Sequence, residues 1–351
     1  MSLDSLIKQI NKEYGENTAQ VLTQDYVRDI KVFSSGSLAL DLALGRGGIP
    51  RGRIVEFYGP ESAGKTTLAL LHMAEVQKAD EGAVAFIDAE HTFDPVLAAS
   101  YGVQLDKLVY IDPKTAENAI DTTDALIRTG EVRLIVIDSV PSLTPSKVAE
   151  SSIEQQTMAL LARFMSTTLQ KITGPAYQHD CTVLFINQLR DKVGAHSPIP
   201  GHVPQITPGG RSLPFYASVR LNIKRTDRLT EGNEPIGQRM KVQVIKNKVG
   251  VPHKEATFDL YYNEGVDRID EISQIAIYAK IIKQGGAWFS LIDENGEVVE
   301  RDGVVYKWQG RSKFVDALRE DAWLLNYLER KIRNEDIEAK TAEEIIPEDG
   351  Y

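Results

Sequence analysis

The segment from Gly59 to Thr67, Gly-Pro-Glu-Ser-Ala-Gly-Lys-Thr-Thr, constrains the fold of this chain more than any other stretch. It fits the pattern G-x-x-x-x-G-K-[ST], in which backbone N–H groups at the start of a helix surround phosphate oxygens. The apolar runs 53–58 and 67–71 flank it, so the motif has the strand–loop–helix context that this chemistry requires. An ordinary glycine-rich turn between a strand and a helix is the alternative.

The phosphate interpretation gives each part of the loop a task. Lys65 would reach the β and γ oxygens of a nucleotide, and the hydroxyl of Thr66 would bind Mg²⁺. The residues expected to contact the nucleotide here are Gly59, Pro60, Glu61, Ser62, Ala63, Gly64, Lys65, Thr66 and Thr67.

Composition narrows the class of protein. A chain of 351 residues is long enough for two or three domains, and it has no apolar run long enough to cross a bilayer and no signal peptide. The single cysteine, Cys181, excludes an internal disulfide framework and fits a reducing cytosol. Because it precedes the apolar run 182–186, we expect a buried structural thiol. The sequence therefore predicts a cytoplasmic protein.

Charge is unevenly distributed along the chain. The net charge is −10, which argues against nucleic-acid binding by the surface as a whole. Residues 334–351 carry seven acids against Lys340 alone, a pattern typical of a solvated tail. Such a tail could also compete with DNA for a basic surface, and the sequence leaves both readings open.

Apolar runs alternate with helical segments through the first half of the chain, which is the pattern of an α/β fold with a mainly parallel sheet. Strands are predicted at 83–89, 108–111, 132–137 and 182–187, and helices at 3–13, 37–44, 65–78, 115–129 and 156–172. Segments 216–225, 239–248 and 255–262 predict an antiparallel extension. From residue 269, a helix, two short strands and a long helix at 311–333 predict a small α+β domain. The predicted divisions are 1–32, 33–266, 267–333 and an acidic tail, 334–351.

Three predicted strands end in polar side chains that can serve a nucleotide. Asp138 follows one strand and can hold Mg²⁺ beside the phosphate loop. Glu90 follows a second and is a candidate general base, although it could instead cap the next helix. Gln188 ends a third, where an amide can sense the γ-phosphate.

Two further features have a functional and an ordinary interpretation. The long segment 189–214 is rich in Gly and Pro, and its cations Lys192 and Arg211 alternate with apolar residues, so it could wrap nucleic acid. Its two histidines, His196 and His202, have no third partner nearby that would favour a metal site. The pair Lys246 and Lys248 is either a solvated strand end or a set of cations that completes a neighbouring subunit's site.

With these residues in view, the chain resembles the bacterial RecA recombinase family over nearly its whole length. The segments that carry the resemblance are 34–41 (SSGSLALD), 56–67 (EFYGPESAGKTT), 86–91 (FIDAEH), 185–188 (FINQ), 215–220 (FYASVR) and 246–248 (KNK). The resemblance implies a RecA-type P-loop ATPase core that uses ATP and Mg²⁺. It also implies a helical filament on single-stranded DNA, strand exchange with a homologous duplex, and roles in recombination, DNA repair and the SOS response to DNA damage.

The resemblance also assigns residues. It implies catalytic roles for Glu90, Gln188, Lys246 and Lys248, nucleotide or Mg²⁺ contacts for Asp94, Thr66 and Asp138, and a subunit interface at Phe215. The N-terminal helix would dock on the next protomer. The DNA contacts that it implies are Met158, Arg163, Arg190, Lys192, Ile199, Val203, Ile206, Gly209, Gly210, Arg211, Arg225 and Lys241.

The chain departs from the family pattern at Leu97, Gln170 and Gln243, where an aromatic, an arginine and a second cation are usual. Its second DNA loop is longer and richer in proline, so the residue that intercalates stays open between Ile199, Val203 and Ile206. These departures are typical of a divergent member, such as a phage-borne one. A hexameric ring motor and a module that regulates a repressor or another partner are the alternatives in other functional classes.

Overall fold

A computed structural model describes residues 2–16, 18–21, 30–79, 81–146, 154–191, 205–262 and 264–334; for 154–158, Asp191 and Asn334 it describes the backbone only. Within these residues, the predicted α/β class is confirmed, because a large, mainly parallel sheet is packed with helices. The chain divides into two compact units, Met1–Lys31 and Val32–Tyr351.

The helices and strands lie close to the predicted positions. The helices are α1 (Leu3–Tyr14), α2 (Leu38–Leu44), α3 (Lys65–Lys78), α4 (Pro95–Ser100), α5 (Ala116–Thr129), α6 (Glu154–Gln178), α7 (Ser212–Tyr216), α8 (Arg268–Tyr278), α9 (Arg311–Glu320) and α10 (Ala322–Asn334). The strands are β1 (Val32–Phe33), β2 (Ile49–Pro50), β3 (Ile54–Gly59), β4 (Ala83–Asp88), β5 (Leu108–Ile111), β6 (Val132–Asp138), β7 (Thr182–Gln188), β8 (Arg190–Asp191), β9 (Gln205–Ile206), β10 (Val219–Glu231), β11 (Glu234–Asn247), β12 (Glu255–Tyr261), β13 (Gly265–Val266), β14 (Ile282–Gly285), β15 (Trp288–Leu291), β16 (Glu300–Arg301), β17 (Val304–Val305) and β18 (Lys307–Gln309).

The main sheet has the order β13-β12-β11-β10-β3-β7-β6-β4-β5. Strands β10, β3, β7, β6, β4 and β5 are parallel, and β11, β12 and β13 add the predicted antiparallel extension. Every residue of β3 is buried, as expected of a central strand covered on both faces. Because the central strands are parallel, the carboxyl ends of β3, β4, β6 and β7 meet at one edge of the sheet.

One hydrophobic cluster packs α6 against the main sheet. Ile54, Ile135 and Phe185 of the sheet pack with Met165 of α6 and are at most 1% exposed. The burial predicted for Cys181 is confirmed, since the thiol is fully buried in this cluster and burial raises its pKa to about 12. A thiol with such a pKa is not a nucleophile at neutral pH.

Three local predictions were wrong. The helix predicted at 311–333 is two helices, because Asp321 adopts an extended conformation and its carboxylate accepts the backbone N–H of Leu324 at 3.0 Å, which starts α10 anew. Helix α6 continues past Gly174 and Pro175 to Gln178 instead of ending near 172. The described parts of the segment 189–214, residues 189–191 and 205–214, are more regular than predicted, since β8 pairs with β9 and α7 follows.

The C-terminal part of the second unit is α+β, with more strands than the two predicted. β14, β15 and β18 form a sheet, and Phe289 of β15 stacks on Phe314 of α9 with a centroid distance of 5.9 Å. Among the described residues, none of the helices has the length and apolar character needed to span a bilayer.

Candidate functional site

The phosphate loop closes the end of β3 and starts α3. A Cβ on Gly59 would lie 2.0 Å from the carbonyl oxygen of Ile223, so only glycine fits there. Gly64 begins α3 in the left-handed conformation, with φ of 86°. Lys65 is 8% exposed, and its Nζ donates to the carbonyl oxygen of Pro60 at 2.6 Å. Burial lowers the pKa of Lys65, opposed by the carboxylates of Asp138, Glu90 and Glu61. The loop thus presents backbone N–H groups and one ammonium to a common space.

Thr66 and Asp138 meet at the same edge, as the sequence predicts. The hydroxyl of Thr66 donates to Oδ2 of Asp138 at 2.7 Å, although the two residues are 72 positions apart. Burial, with a contribution from the nearby acids Glu90 and Asp88, raises the pKa of Asp138 to about 6, against the lowering effect of the Thr66 hydroxyl and Lys65. A carboxyl group held in this way is stabilised as an anion by any cation that binds next to it.

The hydroxyl–carboxylate pair fits a magnesium ion. Mg²⁺ prefers one or two protein oxygens and fills its remaining positions with water and substrate phosphate. Asp138 and Thr66 supply such a pair beside the phosphate loop. Among the described residues, there is no cluster of three or more His, Cys, Asp and Glu side chains that could hold a metal ion.

Glu90 is held in place by two donors at the ends of β6 and β7. Its Oε1 accepts the hydroxyl of Ser139 and the amide of Gln188, the latter at 3.1 Å. Its backbone N–H donates to the carbonyl oxygen of Asp138 at 3.1 Å. The residue does not cap a helix, because α4 is capped by Asp94, whose Oδ1 accepts from Val96 and Leu97. The structure therefore brings Glu90, Gln188, Thr66 and Asp138 together.

A cleft of about 320 Å³ opens beside the loop. Its lining residues are Ser62, Ala63, Gly64, Lys65, Thr66, Thr67, Arg225, Gln238 and Tyr262. Several predicted nucleotide and catalytic residues are not among them: Gly59, Pro60, Glu61, Glu90, Asp94, Asp138 and Gln188. Gln238 and Tyr262, which come from β11 and the residue after β12, were not predicted, and Arg225 was predicted to lie in a DNA site. Only the pairing of β10, β11 and β12 brings these residues to the loop, so no local pattern could have revealed them.

The predicted DNA residues that the structure describes fall into two groups. Arg163 lies on α6, and Arg190, Ile206, Gly209, Gly210 and Arg211 lie on β8, β9 and the turn before α7, whereas Arg225 and Lys241 lie on β10 and β11. Arg163, Arg190 and Arg211 are exposed, and so is Ile206, at 43%. Lys241 pairs with Glu255 at 2.8 Å.

Gly209 and Gly210 have a packing reason of their own. Gly209 has φ of 89° and Gly210 has φ of 74°, and a Cβ on Gly210 would lie 2.7 Å from Cβ of Ala162 in α6. Lys192, Ile199 and Val203, the side chain of Met158 and the acidic tail beyond Asn334 lie outside the described residues.

The two lysines and Phe215 form a separate group. Nζ of Lys246 donates to the carbonyl oxygens of Pro214 and Phe215, at 2.6 and 2.9 Å, and Nζ of Lys248 donates to that of Phe215 at 3.1 Å. The Phe215 side chain is 72% exposed. Lys246 is level with Arg220 and Glu56, three residues before Gly59, so it lies about 10 Å back along the strand from the phosphate loop.

Comparison with known proteins finds relatives that cover most of the chain. The sequence model of the RecA N-terminal domain matches residues 1–267. Protein RecA of Clostridium acetobutylicum is 43% identical over 332 residues, which covers 95% of this chain and 90% of that protein. Protein RecA of Delftia acidovorans is 43% identical over 334 residues, covering 95% and 87%. Protein RecA of Acinetobacter baumannii is 41% identical over 334 residues, covering 95% and 91%.

Proposed function

The chain belongs to the bacterial RecA recombinase family, and on that premise we propose how its residues bind ATP, hydrolyse it and couple hydrolysis to DNA. It is a DNA-dependent ATPase that acts in recombination and repair. The proposal is that ATP and Mg²⁺ bind at the carboxyl edge of the sheet, and that a filament of protomers holds single-stranded DNA and pairs it with a homologous duplex.

The observation that supports the ATP site most strongly is the convergence of side chains from three separate segments of the chain. Lys65, the Thr66–Asp138 pair and Glu90 come from α3, β6 and the segment after β4, yet they lie at one edge of the sheet, where Lys65 and Thr66 line a cleft. This is the arrangement that phosphoryl transfer to water needs: a cradle for the phosphates, a metal ligand and a base.

The roles follow from the geometry. Lys65 and the loop N–H groups would hold the β and γ phosphates. Mg²⁺, when bound, would neutralise phosphate charge next to Thr66 and Asp138. Glu90 would accept the proton of the attacking water, with Ser139 fixing the direction of its carboxylate. Gln188 donates to the same oxygen of Glu90, so a γ-phosphate that attracts this amide would change the contact.

Contact between protomers completes the proposed site. Lys246 and Lys248 lie behind the chain's own phosphate loop, so they would serve the ATP of a neighbouring protomer. Burial and the neighbouring cations Lys248 and Arg220 lower the pKa of Lys246 to about 8. A triphosphate would relieve this repulsion. Helix α1 exposes Leu3 and Leu6, at 66% and 44%, and would dock on the next protomer, with Phe215 at the interface.

DNA contacts and the domain division stay predictions. Arg163, Arg190, Arg211 and Ile206 surround the Gly209–Gly210 turn and would contact the single strand. Lys241 would serve the duplex; Arg225 could serve either the duplex or the nucleotide. The proposed division gives protomer docking to 1–32, ATP and DNA binding to 33–266, and an α+β domain to 267–333.

The test is the substitution Glu90→Gln, which preserves shape and removes the base. We expect ATP hydrolysis in the presence of single-stranded DNA to fall about 10²- to 10⁴-fold, the usual contribution of a general base. Binding of nucleotide and of DNA should persist, because an interaction made only in the transition state does not contribute to ground-state affinity. Initial rates of phosphate release and DNA binding by anisotropy measure the two quantities.

Glu320→Gln is the matched control, because it makes the same carboxylate-to-amide change at an exposed position at the end of α9. It should leave ATP hydrolysis and DNA binding unchanged. Normal hydrolysis by Glu90→Gln would show that another group is the base. Wild-type hydrolysis that does not respond to single-stranded DNA would contradict the proposed function itself. Electron microscopy with ATP and DNA separates helical filaments from the rings of a hexameric motor.

A further inference from the structure

A buried polar network lies between β3, β7 and β10, on the same edge as the proposed ATP site. Glu56 and Asn187 are both fully buried, at 0% exposure. Burying a carboxylate and an amide is costly unless their hydrogen-bonding capacity is used. Glu56 forms an ion pair with Arg220, whose guanidinium also lies 4.6 Å from the ring centroid of Tyr58. None of the roles assigned so far accounts for these two buried groups.

The side chain of Asn187 makes three hydrogen bonds, which use both of its donors and its oxygen. Its Nδ2 donates to Oε1 of Glu56 at 2.9 Å and to the carbonyl oxygen of Pro208 at 3.1 Å. Its Oδ1 accepts the backbone N–H of Gln188 at 3.0 Å. The opposite amide orientation would turn Oδ1 toward a carboxylate and a carbonyl oxygen, so these partners fix the orientation.

Each of these hydrogen bonds leads to a different functional element. Gln188 contacts Glu90 at the nucleotide. Pro208 is the residue before the Gly209–Gly210 turn, among the proposed DNA contacts. The Glu56–Arg220 pair influences the pKa of Lys246, the cation proposed to reach the neighbouring protomer's ATP. The side chain of Asn187 thus connects the end of β7, the turn before α7 and the Glu56–Arg220 ion pair.

We propose that Asn187 is a positioning residue that couples the nucleotide site to DNA binding, by holding the backbone of Gln188 and Pro208 in a fixed relation to each other. A change in Gln188 on nucleotide binding is then transmitted to the Gly209–Gly210 turn through a short, fully hydrogen-bonded path. The inference rests on the proposed function, because it needs ATP at Glu90 and DNA near this turn. A purely structural role would instead contribute to stability alone.

The test measures single-stranded DNA affinity with and without a non-hydrolysable ATP analogue, in wild type and in Asn187→Ala. We expect the variant to bind the analogue itself within about twofold of wild type, since Asn187 does not face the cleft. The gain in DNA affinity caused by the analogue should fall about tenfold, which corresponds to about 1.4 kcal/mol of coupling. A folded variant with the wild-type gain overturns the role of Asn187.

Thr182→Val is the matched control. Thr182 lies at the other end of β7, is buried, and donates to the carbonyl oxygen of Pro50 at 3.2 Å, so this variant also loses one buried hydrogen bond to a proline carbonyl. It should unfold at a lower temperature than wild type but keep the full nucleotide-dependent gain. If Thr182→Val loses the gain to the same extent, the effect reflects general destabilisation and the proposal is wrong.

Two milder variants keep the proposal testable if Asn187→Ala does not fold. Asn187→Ser retains one polar group, and Glu56→Gln retains an acceptor for Asn187 while removing the charge that pairs with Arg220. Both should lose part of the gain, and a full gain in both overturns the proposal. If the analogue did not increase the DNA affinity of the wild-type protein, the proposed function itself would be contradicted. This outcome differs from one in which wild type and variant show the same increase, which contradicts only the role of Asn187.

Discussion

Two regions of the second unit place buried or half-buried carboxylates at the start of a helix, and these carboxylates have different contacts. At the carboxyl edge of the sheet, Asp138 and Glu90 stand beside Lys65 at the start of α3. At the junction between α2 and α8, Glu271 and Asp41 stand at the start of α2. We call these regions the edge site and the junction.

The junction saturates its acids from within the chain. Glu271 accepts the hydroxyl of Ser37 at 2.5 Å and the backbone N–H groups of Leu38 and Ala39 at 2.6 and 3.0 Å. Asp41 accepts three bonds from Ser34 and Ser35, all at 2.7 Å.

The edge site leaves capacity open. Among the described residues, the carboxylate of Asp138 accepts one side-chain hydrogen bond, from Thr66, and Nζ of Lys65 donates one, to the carbonyl oxygen of Pro60 beside a cleft of about 320 Å³. Buried charge with unused hydrogen-bonding capacity is costly in the free protein. The unused hydrogen-bonding capacity of the edge site therefore favours binding of a charged ligand there, whereas the contacts of the junction stabilise the fold.

The largest expected effect comes from removing the ammonium of the edge site by Lys65→Ala. Nucleotide affinity should fall about 100-fold, since a hydrogen bond to a charged group contributes up to about 3 kcal/mol. Nucleotide-dependent DNA binding should disappear with it. The free energy of unfolding should not fall, because burial already disfavours the charged form of Lys65. Fluorescent-nucleotide titration and thermal unfolding measure the two effects.

Lys78→Ala at the other end of α3 is the control for this experiment. Its ammonium is exposed and pairs with Glu75 on the same helix, a contact of little energetic consequence. Loss of stability in Lys65→Ala that exceeds the loss in Lys78→Ala would mean that the edge site stabilises the fold, and the contrast between the two regions would be lost.

The junction should respond to pH. Burial raises the pKa of Glu271 from 4.5 to about 7, against the lowering effect of the Ser37, Ala39 and Leu38 donors, and Asp41 adds to the rise. Because the folded state binds the proton of Glu271 more tightly than the unfolded state does, protonation of Glu271 stabilises the folded protein. This contribution to the free energy of unfolding is complete below about pH 4.5 and is lost as the pH rises through about 7. It is about 3 kcal/mol.

Glu271→Gln removes that titration and keeps the shape. The decrease in the free energy of unfolding between pH 5 and pH 8 should be smaller in Glu271→Gln than in wild type. Some decrease should persist, because burial raises the pKa of Asp41 to about 6 and Arg333 opposes that rise. Glu320→Gln serves again as the exposed control. Denaturant titrations at several pH values measure how the free energy of unfolding changes with pH. An equal change in wild type and Glu271→Gln would show that Glu271 does not contribute to the pH dependence of stability.

The positions of the edge-site residues could be predicted from the sequence because the motif is local and its glycines have a steric cause, whereas the roles of these residues stay predictions. Gly59 and Gly64 are required by a close carbonyl and a left-handed turn, and Lys65 and Thr66 follow within the same motif. Asp138 and Glu90 were predicted because parallel strands end at a common edge, a rule of topology that needs no contact list.

The junction and the Asn187 network were not predicted, since their partners have no fixed spacing. Ser37 and Glu271 are 234 positions apart, and Asn187 and Glu56 are 131 apart. The break at Asp321 was missed for a different reason. The apolar period of 311–333 continues through it, so only the cap of α10 reveals that one helix has ended and another has begun.

Removal of the N-cap of α8, the helix that carries Glu271 of the junction, should have a smaller effect than the changes above. Oδ1 of Asp267 caps α8 by accepting the backbone N–H groups of Ile269 and Asp270, both at 3.0 Å. Asp267→Ala should lower the free energy of unfolding by about 1 kcal/mol, the usual cost of a lost N-cap, and Asp267→Asn should retain most of it. Neither change should alter DNA-stimulated ATP hydrolysis, measured well below the unfolding temperature, because α8 supplies no group to the edge site. Glu271 lies on α8, the helix that Asp267 caps. If ATP hydrolysis decreased in parallel with stability in the two variants, the junction and the edge site would be energetically coupled.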